Sequence, residues 1–357
     1  ITQPTTTANI TAKELTVSGI TAGNKTYDAT DTASLSTGSA AFVGKVAGDT
    51  VNIDLASVAG TFPDKTIGTA RTVTITGVAK TGADAGNYYI TQPTTTANIT
   101  TKELTVSGIT AANRTYDATS SATALLDKSQ AALVGVVAGD TVTLSTSSAT
   151  ATFANKTVGT AKTVTIAALS ISGADYTNYS LTQPTTTADI TTKELTVSGI
   201  TAGNKTYDRL TTATLSTGSA ALVGIVAGDT VNIDLASVAG TFPDKTIGTG
   251  RTVTITGVAK TGADAGNYFI TQPTTTANIT AKELTVSGIT AGNKTYDATD
   301  TASLSTGSAA FVGKVAGDTV NIDLASVAGT FPDKTIGTAR TVTITGVAKT
   351  GADAGNY

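Results

Sequence analysis

No cysteine, histidine, methionine or tryptophan occurs anywhere in the 357 residues. Without cysteine there is no disulfide and no thiolate metal site. Without histidine the chain has neither an imidazole ligand nor the usual general base of neutral-pH catalysis. Those absences argue against an enzyme. An excess of one charge is missing too: 23 basic residues stand against 26 acidic ones, a net charge of -3. The basic excess that attracts nucleic acid or an anionic membrane surface is therefore lacking, and neither is expected as a partner. No apolar run nears the roughly 20 residues of a spanning helix, so no membrane insertion by this segment is expected. No signal peptide opens the sequence, and the export signals of a secreted protein would lie outside these residues. Aromatics make up 5% of the chain against 39% hydrophobic residues overall. The expected cores are small and aliphatic.

What the chain has in abundance is itself. The phrase (I/L)TQPTTTA begins at Ile1, Ile90, Leu181 and Ile270, giving periods of 89, 91 and 89 residues. The first 88 residues and the last 88 are identical, and the second copy diverges most, with ALLDKSQAALVGVV where the first has ASLSTGSAAFVGKV. A period near 90 is too long for most solenoid repeats and suits one β-sandwich domain per copy. Beads on a string are expected rather than a continuous coil.

Each copy reads as strands. In ELTVSGI, Leu15 and Val17 fall on one face; in TVNIDL, Val51, Ile53 and Leu55 point inward. In RTVTITGVAK, Val73 and Ile75 alternate with outward Thr72, Thr74 and Thr76 before the phase shifts at Gly77. The period is two throughout, and Thr, Val and Ile suit a half-buried pleated surface. A phase shift at glycine predicts a bulge or bend that redirects the strand.

The stretch GADAGNYYITQPTTTANIT looks like a linker but carries D-x-G-x-Y, formed by Asp84, Gly86 and Tyr88, with Ile90 two residues on. That pattern resembles the entry to the penultimate strand of immunoglobulin domains, where a tyrosine hydroxyl returns to the backbone and pins the corner between sheets. The same Asp and Tyr recur as Asp175 and Tyr179, Asp264 and Tyr268, and Asp353 and Tyr357. These eight are the expected structural residues. On this register TTTANIT is a final strand. The expected units are then 1-11 (the final strand of a preceding repeat), 12-100, 101-191 (the divergent copy), 192-280, and 281-357, which lacks its final strand. The fold class expected is all-β, tandem Ig-like β-sandwich domains forming an extended rod or filament.

The words KELTVSGITAGNKTYDAT, VAGDTV, GTF..KT(I/V)GT and GADAGNYYITQP resemble the YDG-domain repeats of large bacterial surface adhesins, proteins similar to filamentous haemagglutinins. The resemblance runs through every copy. Its signature is altered here: Y-D-G reads Tyr27-Asp28-Ala29, Tyr116-Asp117-Ala118, Tyr207-Asp208-Arg209 and Tyr296-Asp297-Ala298. A turn that relied on a positive φ at that glycine would have to be built differently in this chain. The resemblance implies a secreted, repetitive stalk or fibre on a Gram-negative surface, supporting attachment or a biofilm matrix, with no catalytic residues. Its partners would be neighbouring repeats of the same chain and like chains in a fibre. The competing class is a module that binds a host glycan or protein directly; a lower alternative is a filament subunit assembled by strand donation between chains.

Other candidate chemistry is sparse, and no cofactor is expected. Asp28 with Asp31, and Asp49 with Asp54, are weak candidate calcium ligands, since no D-x-D-x-D loop accompanies them. Lys13, Glu14 and Asn87 are conceivable partners in an internal isopeptide crosslink. The outward threonines form a ladder with steps of about 6.8 Å, similar to those of ice-binding proteins.

Overall fold

The structure, a computed structural model, describes all 357 residues, and its regular elements are strands and three-residue 3-10 turns. It divides into two compact units, Ile1–Arg114 with Thr119–Thr191, and Thr115–Ala118 with Thr192–Tyr357. The all-β, tandem-repeat expectation holds.

In the first unit, the first repeat runs through β1 (Lys13–Ser18), β2 (Thr21–Ala22), β3 (Lys25–Thr26), β4 (Thr32–Ala33), β5 (Leu35–Ser36) and β6 (Ala41–Val43). It continues through β7 (Asn52–Asp54), β8 (Ala59–Thr61), β9 (Gly68–Thr76), β10 (Ala79–Thr81), β11 (Tyr88–Ile90) and β12 (Thr94–Thr100). One sheet has the order β11-β1-β6, and β7 pairs with β10 nearby; the other has the order β3-β12-β9-β8-β4. Strand β1 runs antiparallel to β6, with Val17 opposite Phe42, and parallel to β11, with Leu15 opposite Ile90. Strand β12 runs antiparallel to β9 and parallel to β3.

The alternation read from the sequence sets which face is inside. Val73 and Ile75 of β9 are fully buried while Thr72, Thr74 and Thr76 are exposed. Ile75 joins Ile20 and Val78 in a core that takes Val17 and Phe42 from the opposite sheet and Ile53 from β7. Each such aliphatic side chain contributes roughly 1.5–3 kcal/mol by leaving water.

Gly77 is where the chain changes sheets, from β9 in the five-stranded layer to β10 beside β7. Its φ is +75°, and a Cβ there would sit 2.1 Å from the Ser57 carbonyl oxygen, so both conformation and space demand glycine. The backbone that this bend frees is caught by Gln92: its Oε1 accepts from the Val78 N–H at 3.1 Å and its Nε2 donates to the Val78 carbonyl at 2.9 Å. Gln183 with Leu169, and Gln272 with Val258, repeat the arrangement. The TQP phrase is thus part of the fold. It also separates β11 and β12 into different sheets, whereas an immunoglobulin hairpin would keep the last two strands in one.

In the second unit, residues 192–280 reproduce this plan, with Thr274–Thr280 antiparallel to Gly248–Thr256 and parallel to Lys205–Thr206. Residues 281–357 keep less of it: the counterpart of nine-residue β9 is reduced to Thr343–Thr345, and Lys294 is in no strand.

Candidate functional site

The two recurring phrases VAGDT and GADAGNY interlock in every copy. Gly48, at φ +94°, turns the chain so that Asp49 precedes β7. The Tyr88 hydroxyl accepts from the Val46 N–H at 3.0 Å and donates to Asp49 Oδ2 at 2.5 Å. Asp84 Oδ2 accepts from the Thr50 N–H at 2.8 Å, while the Asp84 N–H donates to the Thr50 carbonyl at 3.1 Å. Tyr179, Tyr268 and Tyr357 make the same pair of bonds to Val137 and Asp140, Val226 and Asp229, and Val315 and Asp318. Asp175, Asp264 and Asp353 likewise accept from the N–H groups of Thr141, Thr230 and Thr319. The tyrosine hydroxyl thus clamps a loop 42 residues upstream, whereas the tyrosine of an immunoglobulin corner bonds a backbone group only a few residues upstream. Burial, reinforced by the aspartate acceptor, pushes the Tyr179, Tyr268 and Tyr357 hydroxyls up to about 12.

This clamp is also half of a joint between repeats. In the first unit Tyr27, only 1% exposed, sits edge-on to Tyr179 with ring centroids 5.4 Å apart and donates its hydroxyl to Asp140 Oδ2 at 2.8 Å. Lys65 Nζ lies 2.9 Å from Asp140 Oδ1 and 3.5 Å from Asp175 Oδ1, and the Ile67 N–H donates to Asn178 Oδ1 at 3.2 Å. Asp140 therefore receives two phenols and an ammonium group. Burial raises its pKa, but the hydrogen bonds from Tyr179, Lys65 and Tyr27 outweigh that and leave it below the usual carboxylate range. The same bonds to Asp140 and Tyr27 hold Lys65 protonated well above its ordinary range. Around the polar group lies apolar packing that crosses the repeat boundary without a break: Tyr27, Phe62, Val73 and Ile99 cluster with Leu104 and Tyr179. The expectation of beads on a string is corrected here. Consecutive repeats within this unit share a core.

The second unit contains a related joint that differs in more than one contact: Lys245 Nζ stands 3.9 Å from Asp318 Oδ1, against 2.9 Å for Lys65 and Asp140. Tyr207 meets Tyr357 edge-on at 5.5 Å, Lys245 Nζ reaches Asp353 Oδ1 at 3.1 Å, and the Ile247 N–H donates to Asn356 Oδ1 at 3.3 Å. Arg209 replaces the alanine of the other copies. Its Nε stands 3.1 Å from Oδ1 of Asp318, whose carboxylate is fully buried, and its guanidinium donates to the Ala316 carbonyl at 3.0 Å. The segment Thr115–Ala118 also groups with this unit, and there Tyr116 meets Tyr268 edge-on at 5.4 Å.

The turn after the signature tyrosine is not rebuilt, contrary to expectation. Ala29, Ala118, Arg209 and Ala298 all adopt the left-handed conformation, with φ of 63°, 63°, 68° and 65°. An L-residue pays roughly 1–2 kcal/mol there. The turn is held by its surroundings: Asp28 Oδ1 accepts from the Thr30 N–H, and Lys25 Nζ donates to the Thr30 and Thr32 carbonyls at 2.9 Å each.

The other sequence candidates are engaged elsewhere or lie exposed. Asp28 is bound to Thr30 and Lys25, Asp54 accepts from the Ala56 N–H, and Asp49 holds Tyr88; no group of three carboxylates forms from these or from Asp31. Lys13, Glu14 and Asn87 are all exposed, so they do not form the buried triad a crosslink needs. The threonines align further than their own strand: Thr32, Thr61, Thr74 and Thr94 make one exposed row across β4, β8, β9 and β12. Reading the sequence missed the joining roles of Tyr27, Lys65 and Asp140. The available signal was that Tyr-Asp and A-G-D recur in all four copies, including the divergent one.

These features define a protein of tandem β-sandwich repeats in which a tyrosine of one repeat is inserted into the clamp of the next. The YDG domain family matches residues 11–97, 100–188, 191–277 and 280–357, and the chain belongs to that family. No curated protein matches the chain.

Proposed function

We propose that the chain is a structural segment of a secreted, repetitive bacterial surface adhesin, whose work is to carry load across distance and support attachment or an extracellular matrix. The supporting observation is the joint in the first unit, where Asp140 with its two tyrosines and Lys65 is set into an unbroken apolar core. Binding modules usually concentrate exposed aromatics at one surface. Here the tyrosines that recur are instead spent on clamping loops and joining repeats. No catalytic or cofactor role is assigned.

Single-molecule stretching tests this reading. A load-bearing segment should unfold in discrete steps, each lengthening the chain by somewhat less than about 300 Å, the extended length of one repeat at 3.3–3.6 Å per residue. Featureless extension at low force would refute it. Saturable binding of the chain to members of a glycan array would favour the ligand-binding alternative.

A further inference from the structure

We propose that each repeat is a directional lock, firm when pulled along the chain and weak when its strands are pulled apart. The inference deepens the load-bearing reading above and rests on it. The second repeat, which has other repeats on both sides in the sequence, shows the geometry. Tension reaches it at Lys102, the start of strand Lys102–Ser107, and leaves it at Thr191, the end of strand Thr185–Thr191. Only Thr101 separates Lys102 from β12 of the repeat before, and only Thr192 separates Thr191 from the strand Lys193–Ser198. Connections of one residue leave no slack, so the pull is delivered straight to the strands.

The two loaded residues lie at opposite ends of the repeat. Lys102 is in register with Tyr179, and Tyr179 packs against Tyr27 of the preceding repeat. From Tyr179 the chain runs to Leu181, crosses between sheets over the TQP phrase and continues to Thr191, where the following repeat begins. One extended passage thus spans the repeat from its joint to its exit, and the entry strand lies parallel to the start of that passage. The joint is fastened to the same path: the Tyr27 N–H donates to the carbonyl of Thr100, the last residue of β12, at 2.9 Å, while the Tyr27 hydroxyl holds Asp140 across the one-residue connection.

A pull along a strand meets the hydrogen bonds of its sheet sideways, because those bonds run across the strands. Sliding one strand past its neighbour strains several bonds together, whereas drawing the two apart breaks them one after another. The entry strand is held on both sides, parallel to Tyr179–Leu181 over Lys102 to Leu104 and antiparallel to Ala132–Val134 over Thr105 to Ser107. The exit strand lies antiparallel to Gly159–Ala167, from Thr185 opposite Thr165 to Ile190 opposite Gly159, with a register shift between Gly159 and Lys162. A slip of one residue would also turn the buried Ala188 and Ile190 to the outer face, so the first movement under load exposes core side chains. The first and third repeats carry the same ladders on their entry and exit strands.

The test is force spectroscopy of the intact chain, held by pairs of introduced cysteines, since the chain has none of its own. Thr101→Cys with Thr192→Cys loads the second repeat along its length. Thr163→Cys with Thr187→Cys draws apart two exposed residues that face each other on Gly159–Ala167 and the exit strand, so the same ladder is peeled instead of sheared. At one loading rate the lengthwise pair should need ~threefold more force or higher, because several bonds share the load and forced opening follows the unfolding barrier. Both variants should keep the parent's thermal midpoint. The third repeat supplies a second comparison, Thr192→Cys with Ala281→Cys against Thr252→Cys with Thr276→Cys, in which the same difference is expected. Discrete steps at equal force in both directions would overturn the lock while leaving a load-bearing segment; extension without steps in both directions would defeat the lock and the load-bearing reading together.

Discussion

Tyr27→Phe isolates the polar core of the joint from its packing. The substitution keeps the ring, and with it the edge-on contact to Tyr179 at 5.4 Å, and removes only the hydroxyl that donates to Asp140 at 2.8 Å. A hydrogen bond to a charged acceptor is worth about 1.5–3 kcal/mol net. Asp140 retains Tyr179 at 2.6 Å and Lys65 at 2.9 Å, so it is not stranded, and the expected loss is about 1–2 kcal/mol. Local opening of the joint should become ~5–30-fold more frequent. Hydrogen exchange read by mass spectrometry can see this directly, because the peptide Ala132–Ser145 that carries Asp140 occurs once in the chain. Tyr27→Ala should raise the same exchange by more than about a hundredfold, since deleting a buried aromatic costs ~3–5 kcal/mol. The control is supplied by the repeats themselves. Tyr296 stands in an identical 88-residue sequence but is 59% exposed, and Tyr296→Phe should cost less than about 0.5 kcal/mol. Exchange of Ala132–Ser145 within twofold of the parent in Tyr27→Phe would refute the reasoning.

Three further outcomes are expected. Because the folded pKa of Tyr179 is raised to about 12, its contribution is complete below the unfolded value of about 10 and is lost as pH rises from there toward 12; the lowered Asp140 contributes above roughly pH 4 and is lost as pH falls below it. Near-ultraviolet circular dichroism should therefore be flat between these limits, and a joint signal that titrates near neutrality would contradict this. Ala29→Gly should stabilise the chain by about 0.5–1 kcal/mol, since glycine adopts the φ of 63° without strain, and denaturant titration would show it as a higher midpoint with unchanged slope. Arg209→Ala should cost about 1–2 kcal/mol by removing the pairing with buried Asp318, which keeps Tyr357 at 2.7 Å and Lys245 at 3.9 Å; exchange should rise at Ala316–Thr319 and nowhere in the first unit.

Much of the repeat was legible before any coordinates. The inward Val73 and Ile75, the outward threonines and the redirecting Gly77 all follow from local pattern, and each is found in place. The candidate site was legible only in part. The Asp and Tyr of D-x-G-x-Y were singled out as structural, and they do clamp a loop. Their second task, receiving the preceding repeat, leaves no local trace, because Tyr27 and Asp140 are 113 residues apart. The same holds for Asp49, whose sequence neighbours read as a turn while its partner Tyr88 is 39 residues away.

The sequence by itself determined the period, the strands and the faces they bury, since alternation of apolar and polar residues acts over two or three neighbours. The tertiary structure decided which repeats meet. Tyr27 stands in a turn in sequence, yet it is 1% exposed because the next repeat supplies Tyr179 and Asp140, and Ile99 is 2% exposed because β9 and β3 flank its strand. Burial of those side chains depends on which strand or repeat lies alongside, and that is a property of the assembled neighbours.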